Sequence, residues 1–184
     1  MSDDQDLFER LRAGVEAAFD TIFRTWYAPL VRLATGMLRT KAIAEEIVQD
    51  VMLEVWRRRD SLVTEGSPQS YLFRATRNRA LNHLRHERVV QRSEPHLVEE
   101  RSKAPTGTGG LVEEEIDVAL RRAVSELPAR CREVFELSRG HGLRYSEIAE
   151  TLGISVKAVE AQMGKALRTL RERLAPWLPE GRTL

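Results

Sequence analysis

The segment from Leu143 to Val159 constrains the fold more than any other part of the chain. Its apolar residues have the spacing of two short helices separated by a tight turn. Gly153 can take the positive φ that ends the first helix, and Ser155 is a favourable N-cap for the second. Ala149 is small enough to let the second helix cross close by. The pattern predicts a helix-turn-helix, whose second helix fits the DNA major groove, with an ordinary αα-hairpin as the alternative. The expected core between the two helices consists of Ile148, Leu152, Ile154 and Val159.

The composition argues against a membrane-spanning or secreted protein. A hydrophobic content of 42% is sufficient for buried cores, and no apolar run reaches the roughly 18 residues that a membrane span needs, so we expect no membrane insertion. The acidic N-terminus has no apolar stretch behind it and does not resemble a secretory signal. The single cysteine, Cys131, fits a reducing cytoplasm and is expected to be a half-buried small residue rather than a reactive thiol.

The charge is distributed unevenly along the chain. The net charge is only +1, but residues 94–117 carry 2 basic and 7 acidic side chains, and the blocks on either side are mildly basic. Such modest positive charge implies weak binding to DNA without help, because neutralisation of phosphates supplies most of the non-specific affinity. A larger partner is therefore expected to supply the rest.

The chain is predicted to be all-α, with two small helical domains joined by a flexible acidic linker. The segment from about Arg88 to Glu114 is rich in Pro, Gly and Ser, which gives domains at 1–92 and 115–184 around a linker at 93–114. In the N-terminal domain, helices are expected at Val15–Tyr27, from Pro29 to Arg39, at Ala42–Arg59 and from Ser70 to Glu87. In the C-terminal domain, they are expected at Glu115–Glu126, Ala129–Arg139 and through the helix-turn-helix to Leu174.

The helix at Ala42–Arg59 has an unusual outer face. One half carries an apolar core stripe that includes Ile47 and Val51. The other half sets Leu53 and Trp56 among carboxylate and amide side chains, a combination that suits docking on a partner with basic and apolar features. The alternative is that another helix of the same domain covers these two residues.

The next helix has a polar stripe of a different kind. Arg74, Asn78, Asn82 and Arg85 recur at helical spacing, although Asn is a poor helix former. Amides can pair with base edges while guanidinium groups contact phosphates, and Tyr71 can stack on an unpaired base. A solvated polar face is the alternative. Phe73 is expected in the core.

These features together resemble the extracytoplasmic-function group of bacterial RNA polymerase sigma factors. The resemblance is carried by four motifs in a fixed order, and it covers nearly everything except the linker and the extreme termini. The motifs are Ala44–Trp56, Ser70–Arg85, Leu127–Leu137 and Gly142–Leu174.

The resemblance implies a protein that binds core RNA polymerase, through its β′ clamp and β subunits, and promoter DNA. It implies a monomer when free, an anti-sigma factor as a further partner, and neither a cofactor nor catalytic residues. The implied polymerase-binding residues are Glu46, Gln49, Asp50, Leu53 and Trp56. The implied −10 element residues are Tyr71, Arg74, Arg77, Asn78, Asn82 and Arg85, with Asn78 beside the pocket for a flipped base. The implied −35 element residues are Ser155, Lys157, Glu160, Ala161, Gly164, Lys165 and Arg168.

The sequence departs from the family pattern at a few positions. Tyr71 stands where many relatives have Trp. Arg144 occupies a helix-start position that is often Ser or Thr, which predicts a weakened cap opposite Glu147 unless Ser146 takes over that role. Glu160 and Gly164 replace residues that are often basic or bulky, so no particular −35 sequence follows from the resemblance.

Two other classes of protein account for less of the sequence. A stand-alone helix-turn-helix regulator would account for residues 143–174 but not for the outer face with Leu53 and Trp56 or for the Arg/Asn stripe. An enzyme or metal centre would need a grouping that the four scattered histidines and the single cysteine do not provide.

Overall fold

The computed structural model describes residues 3–62, 67–93 and 111–177. Within these ranges the chain forms eight α-helices and no β-strand, which confirms the all-α prediction. None of the helices in this part of the chain is long and apolar enough to cross a bilayer. The helices belong to two compact units, Met1–Ala104 and Pro105–Leu184. The first contains α1 (Asp3–Arg12), α2 (Glu16–Leu38), α3 (Lys41–Arg57) and α4 (Pro68–Ser93). The second contains α5 (Leu111–Ser125), α6 (Ala129–Phe135), α7 (Tyr145–Leu152) and α8 (Val156–Leu174).

The core of the first unit lies where α2 packs against α3 and α4. Each helix buries one stripe, as the apolar spacing predicts. Helix α1, which the sequence analysis did not predict, adds Phe8 and Leu11 to this core, and the Phe8 ring meets the Trp26 ring edge-on with centroids 6.2 Å apart. The other fully buried side chains include Ile22, Leu30, Val48, Val51, Val55, Leu72 and Phe73.

The prediction that Pro29 opens a new helix is wrong. Pro29 lies inside α2, which continues unbroken from Glu16 to Leu38. A proline in a helix interior loses a backbone hydrogen bond and crowds the preceding turn, at a cost of about 3 kcal/mol. The apolar stripe continues past it, however, and Trp26, Leu30 and Ala34 are all buried. Burial of that stripe outweighs the local penalty.

Two helices extend into the segment predicted to be a linker. Helix α4 runs to Ser93 rather than ending near Glu87, and α5 begins at Leu111. The middle of the predicted linker, residues 94–110, lies outside the described residues, and the domain boundaries remain a prediction.

The core of the second unit joins α5 and α6 to the second half of α8. Cys131 belongs to this core and is fully rather than half buried, and its Sγ donates to Gln162 Oε1 at 3.1 Å. The α-helical part of α6 is shorter than predicted, because residues Glu136–Gly140 widen into a π-helical turn before α7. The core cluster consists of Ala123, Leu127, Cys131, Ala166 and Leu170.

Candidate functional site

The outer face of α3 presents an apolar pair beside a groove. Leu53 remains 44% exposed, whereas Trp56 is half-buried because its ring packs on Phe19 of α2 with centroids 5.2 Å apart. The guanidinium of Arg59 also lies over the Trp56 ring, 4.5 Å from its centroid. A helix of the same unit therefore covers Trp56 in part and leaves Leu53 exposed. The groove between them is lined by Glu16, Phe19, Asp20, Leu53 and Trp56.

Helix α2 adds an aromatic row to this surface that the sequence analysis did not assign to it. Phe23 stacks on Tyr27 with ring centroids 4.6 Å apart and also approaches Phe19, and it remains 37% exposed. The sequence signal for this row is the i, i+4 spacing of its aromatic residues. Ile22 and Trp26 point into the core, whereas Phe19 and Phe23 extend the apolar surface outward.

Carboxylates border the apolar pair, and one arginine of α4 neutralises part of their charge. Asp50 Oδ2 accepts a hydrogen bond from Arg79 Nη1 at 3.4 Å, and Glu54 accepts from Nη2 of the same guanidinium. Glu54 also pairs with Arg58 at 3.1 Å. The hydrogen bond from Arg79 holds the pKa of the Glu54 carboxyl below its usual value. The exposed Glu46 and Gln49 complete the predicted set on this face.

The polar stripe of α4 faces solvent, as predicted. Arg74, Asn78, Asn82 and Arg85 are exposed, and Arg85 Nη1 donates to Asn82 Oδ1 at 3.0 Å. Arg77 is half-buried. The opposite side of the helix enters the core with Leu72, Phe73, Thr76 and Ala80, which confirms the prediction for Phe73.

Tyr71 lies at the start of this stripe, next to the end of α3. It is half-buried and lines a cleft with Arg58, Ser61 and Leu62. Burial raises the pKa of the Tyr71 hydroxyl above its usual value. The resemblance also implies that the loop at about Leu62–Ser70 helps to hold the −10 element, and residues 63–66 of that loop lie outside the described residues.

The second unit forms the predicted helix-turn-helix. Helix α7 ends at Gly153, whose φ of +65° places it in the left-handed region and lets its N–H bond to the Ala149 carbonyl. Ser155 caps α8, its hydroxyl accepting from the Ala158 N–H at 3.2 Å. Ile148 and Val159 are fully buried between the two helices. Leu152 is buried as well, and Ile154 is half-buried.

At the start of α7 the N-cap residue makes no side-chain cap hydrogen bond, as the sequence predicts for Arg144. Arg144 keeps the N-cap position, and Ser146 does not replace it. The Glu147 carboxylate accepts from the Arg144 N–H at 2.8 Å and is itself buried. The helix is therefore capped from its third residue, which satisfies one N–H of the first turn without a Ser or Thr at the N-cap.

The exposed face of α8 carries every residue predicted to face the −35 element. Three of these residues are cationic and one is acidic, and the hydroxyl of Ser155 is already engaged in the cap. No side chain of this set belongs to the buried core of the unit. The exposed residues are Ser155, Lys157, Glu160, Ala161, Gly164, Lys165 and Arg168.

Two family models match the chain, and each falls within one unit. The model of Sigma-70 region 2 matches residues 22–89, and the model of Sigma-70 region 4 matches residues 117–170. The chain is similar to the ECF RNA polymerase sigma factor SigK of Mycobacterium ulcerans, at 28% identity over 94% of this chain and 95% of that protein. It is also similar to the RNA polymerase sigma factor CarQ of Myxococcus xanthus, at 30% identity over 90% of this chain and 94% of that protein.

A solved structure has a similar fold. It is the sigma factor RpoE of Bartonella quintana, determined in complex with the anti-sigma factor NepR. The TM-score is 0.66 at 24% identity, and the match covers 85% of this chain and 96% of that chain. The likeness supports the fold of the helical units described above.

Proposed function

This chain belongs to the extracytoplasmic-function group of RNA polymerase sigma factors, and from that premise we propose how its surfaces divide the work of starting transcription. The protein is an alternative sigma factor, which binds core RNA polymerase and directs it to particular promoters. The observation that carries the proposal is the presence of both sigma-70 regions in one chain, each on a helical unit that exposes most of its predicted contact residues.

The α3 face is the proposed docking site for the β′ clamp of core polymerase. Leu53 and the half-buried Trp56 offer apolar contact, and Glu46, Gln49 and Asp50 surround them with acidic and amide groups. A partner that presents basic side chains around an apolar centre is complementary to this surface in both charge and polarity. The exposed rings of α2 enlarge the apolar part.

The α4 stripe is the proposed contact for the −10 element. Its arginines can bind phosphates while Asn78 and Asn82 reach bases, and Tyr71 provides a ring for stacking. Separating the strands loses stacking energy of a few kcal/mol per flipped base, which binding in a pocket must return. The sigma factor acts here by binding alone, and phosphoryl transfer belongs to the polymerase.

The exposed face of α8 is the proposed reader of the −35 element. Lys157, Lys165 and Arg168 provide cations for phosphates, and Glu160 can accept from the N4 amino group of cytosine. The two helical units would then act as separate modules, joined by the segment between Ser93 and Leu111. The place of action is the cytoplasm, where core polymerase and DNA meet, and the free protein is proposed to be a monomer.

Run-off transcription tests the proposed function directly. The full chain is combined with bacterial core polymerase and a library of genomic promoter fragments, and the start sites are mapped. We expect transcripts from a defined set of positions that are absent with core polymerase alone. Gel shifts with and without core polymerase provide the contrast, because tight, specific DNA binding by the isolated chain would indicate a stand-alone regulator instead.

Replacing Asn78 separates DNA opening from docking. Asn78→Ala is expected to reduce open-complex formation roughly tenfold, since a lost base contact is worth about 1–3 kcal/mol. Polymerase affinity should stay unchanged, because the residue lies on α4 and outside the α3 face. Permanganate footprinting measures opening, and fluorescence anisotropy measures docking. His86→Ala, at an exposed position of the same helix that is not among the predicted −10 residues, is the control. Equal losses in opening and docking would contradict the role of Asn78.

An anti-sigma factor is a further proposed partner. The similar RpoE was solved with such a protein, and an apolar surface with exposed Leu53 and Phe23 needs cover when polymerase is absent. Pull-down of the native chain from unstressed cells is expected to recover a protein that competes with core polymerase for binding. Recovery of polymerase subunits only would count against it.

A further inference from the structure

Arg79 joins the two functional faces of the first unit. It projects from α4 yet pairs with two carboxylates of α3, Asp50 at 3.4 Å and Glu54 through a second guanidinium nitrogen. Asp50 belongs to the proposed polymerase-docking set. The side chain that neutralises Asp50 therefore comes from the helix that faces DNA.

The position of Arg79 on α4 places its charge beside the DNA stripe. It follows Asn78 directly and precedes Asn82 by three residues, which at 100° per residue puts it at the edge of the stripe. It lines a cleft with Glu46, Asp50 and Asn82, so docking and DNA-binding residues meet around one guanidinium. The Arg79 side chain is 39% exposed, and solvent reaches it.

The pairing is favourable but weak enough to exchange. The lowered pKa of the Glu54 carboxyl indicates that Arg79 stabilises its charged form. Ion pairs with this much exposure are nevertheless worth only about 0–1 kcal/mol, because water screens them. A partner that brings several basic side chains to Asp50 and Glu54 can therefore take over these carboxylates.

We propose that Arg79 is a phosphate ligand of the −10 face whose charge Asp50 and Glu54 neutralise until basic side chains of the docked polymerase replace it. Docking then adds one cation to the DNA surface, next to Asn78 and Asn82. The inference rests on the proposed function, since it requires that α3 docks on polymerase and that α4 contacts DNA. It gives the weak DNA binding that the charge predicts for the free chain a cause inside that chain.

Releasing Arg79 by mutation tests the masking step without polymerase. The full chain with Asp50→Asn and Glu54→Gln is titrated against a fluorescein-labelled fork-junction DNA across a range of salt concentrations. One additional phosphate contact steepens the slope of log K against log salt by about 0.9. We expect this increase in slope, with affinity at the lowest salt raised about threefold or more.

Matched variants distinguish release of Arg79 from a general loss of negative charge. The same two neutralisations in an Arg79→Ala chain should give no steepening relative to Arg79→Ala alone. Glu45→Gln removes a carboxylate of α3 that pairs with Lys41 instead, and should leave the slope unchanged. Equal steepening with and without Arg79 would overturn the proposal.

The holoenzyme tests the second half of the proposal. Arg79→Ala is expected to lower open-complex formation about threefold and to flatten its salt dependence, while polymerase affinity is unchanged or slightly raised. Arg79→Lys retains the charge and should restore most of the activity. If the wild-type chain starts transcripts but Arg79→Ala matches it at every salt concentration, the role of Arg79 fails while the sigma function stands. If the wild-type chain starts no transcripts, the proposed function itself fails.

Discussion

A chain that carries both Leu53→Ala and Trp56→Ala is expected to lose at least a hundredfold in affinity for core polymerase while remaining helical. Few interface residues carry most of the binding energy, and buried aromatic anchors are each worth about 2 kcal/mol or more. Leu53 is already exposed in the free chain, and Trp56 offers part of its ring. Loss of the Trp56 anchor together with the apolar contact of Leu53 corresponds to about 3–4 kcal/mol, and about 2.8 kcal/mol already gives a hundredfold effect. Anisotropy with labelled core polymerase measures the affinity, and far-UV circular dichroism measures the helical content.

The two positions differ in how much the fold depends on them. Trp56 also packs on Phe19 and lies under Arg59, so its removal is expected to lower thermal stability somewhat. Leu53→Ala alone removes a side chain that is 44% exposed, and should weaken docking with little change in the melting temperature. Val118→Ala, at a position 52% exposed in the second unit, is the matched control. Wild-type polymerase affinity in the double variant would refute the assignment of the α3 face.

The largest expected effect on stability is in the helix-turn-helix. Ile148 is completely buried between α7 and α8, and Ile148→Ala should cost about 2–5 kcal/mol through lost burial and the cavity that remains. For a unit of this size that corresponds to a drop of at least about 10 °C in melting temperature. Calorimetry should show the second unit unfolding earlier and the first unit unchanged. Transcription from −35-dependent promoters should fall accordingly.

Polymerase affinity provides the check on this second result. Because docking is assigned to the first unit, Ile148→Ala should bind core polymerase nearly as well as the wild type at a temperature where the second unit has melted. Val156→Ala, at a 42% exposed position of α8, controls for removal of an apolar side chain without burial. A single transition that shifts as a whole would show that the two units do not unfold independently.

Patterns within one helix predicted most of the architecture. The helix-turn-helix was predicted down to Gly153 and Ser155, because a positive φ and an N-cap are local requirements with few suitable residues. The α4 stripe was equally readable, since polar residues at helical spacing must share a face. The predicted helix break at Pro29 was wrong. The cost of a proline in a helix is a local effect, whereas the burial of the apolar stripe that outweighs it depends on packing against other helices.

Features that depend on a second helix were beyond the reach of spacing. Helical spacing did not single out Arg79, because its partners Asp50 and Glu54 lie 29 and 25 residues away in the chain. The sequence alone also does not show that Ile22 and Trp26 face the core while Phe19 and Phe23 face outward. That difference exists only because α3 and α4 cover one side of α2. The contacts of these residues with polymerase and DNA remain predictions, and the variants above test them.

The buried position of Cys131 allows thiol labelling to measure the opening of the second unit. The chain has a single thiol, and that thiol is enclosed in the second unit with its Sγ bonded to Gln162. A maleimide can reach it only when α6 and α8 separate, so the labelling rate reports how often this unit opens. The labelling rate can be measured first on the isolated protein and then within a promoter complex. A slower rate in the complex would show how far DNA binding stabilises the second unit against opening, with no mutation introduced.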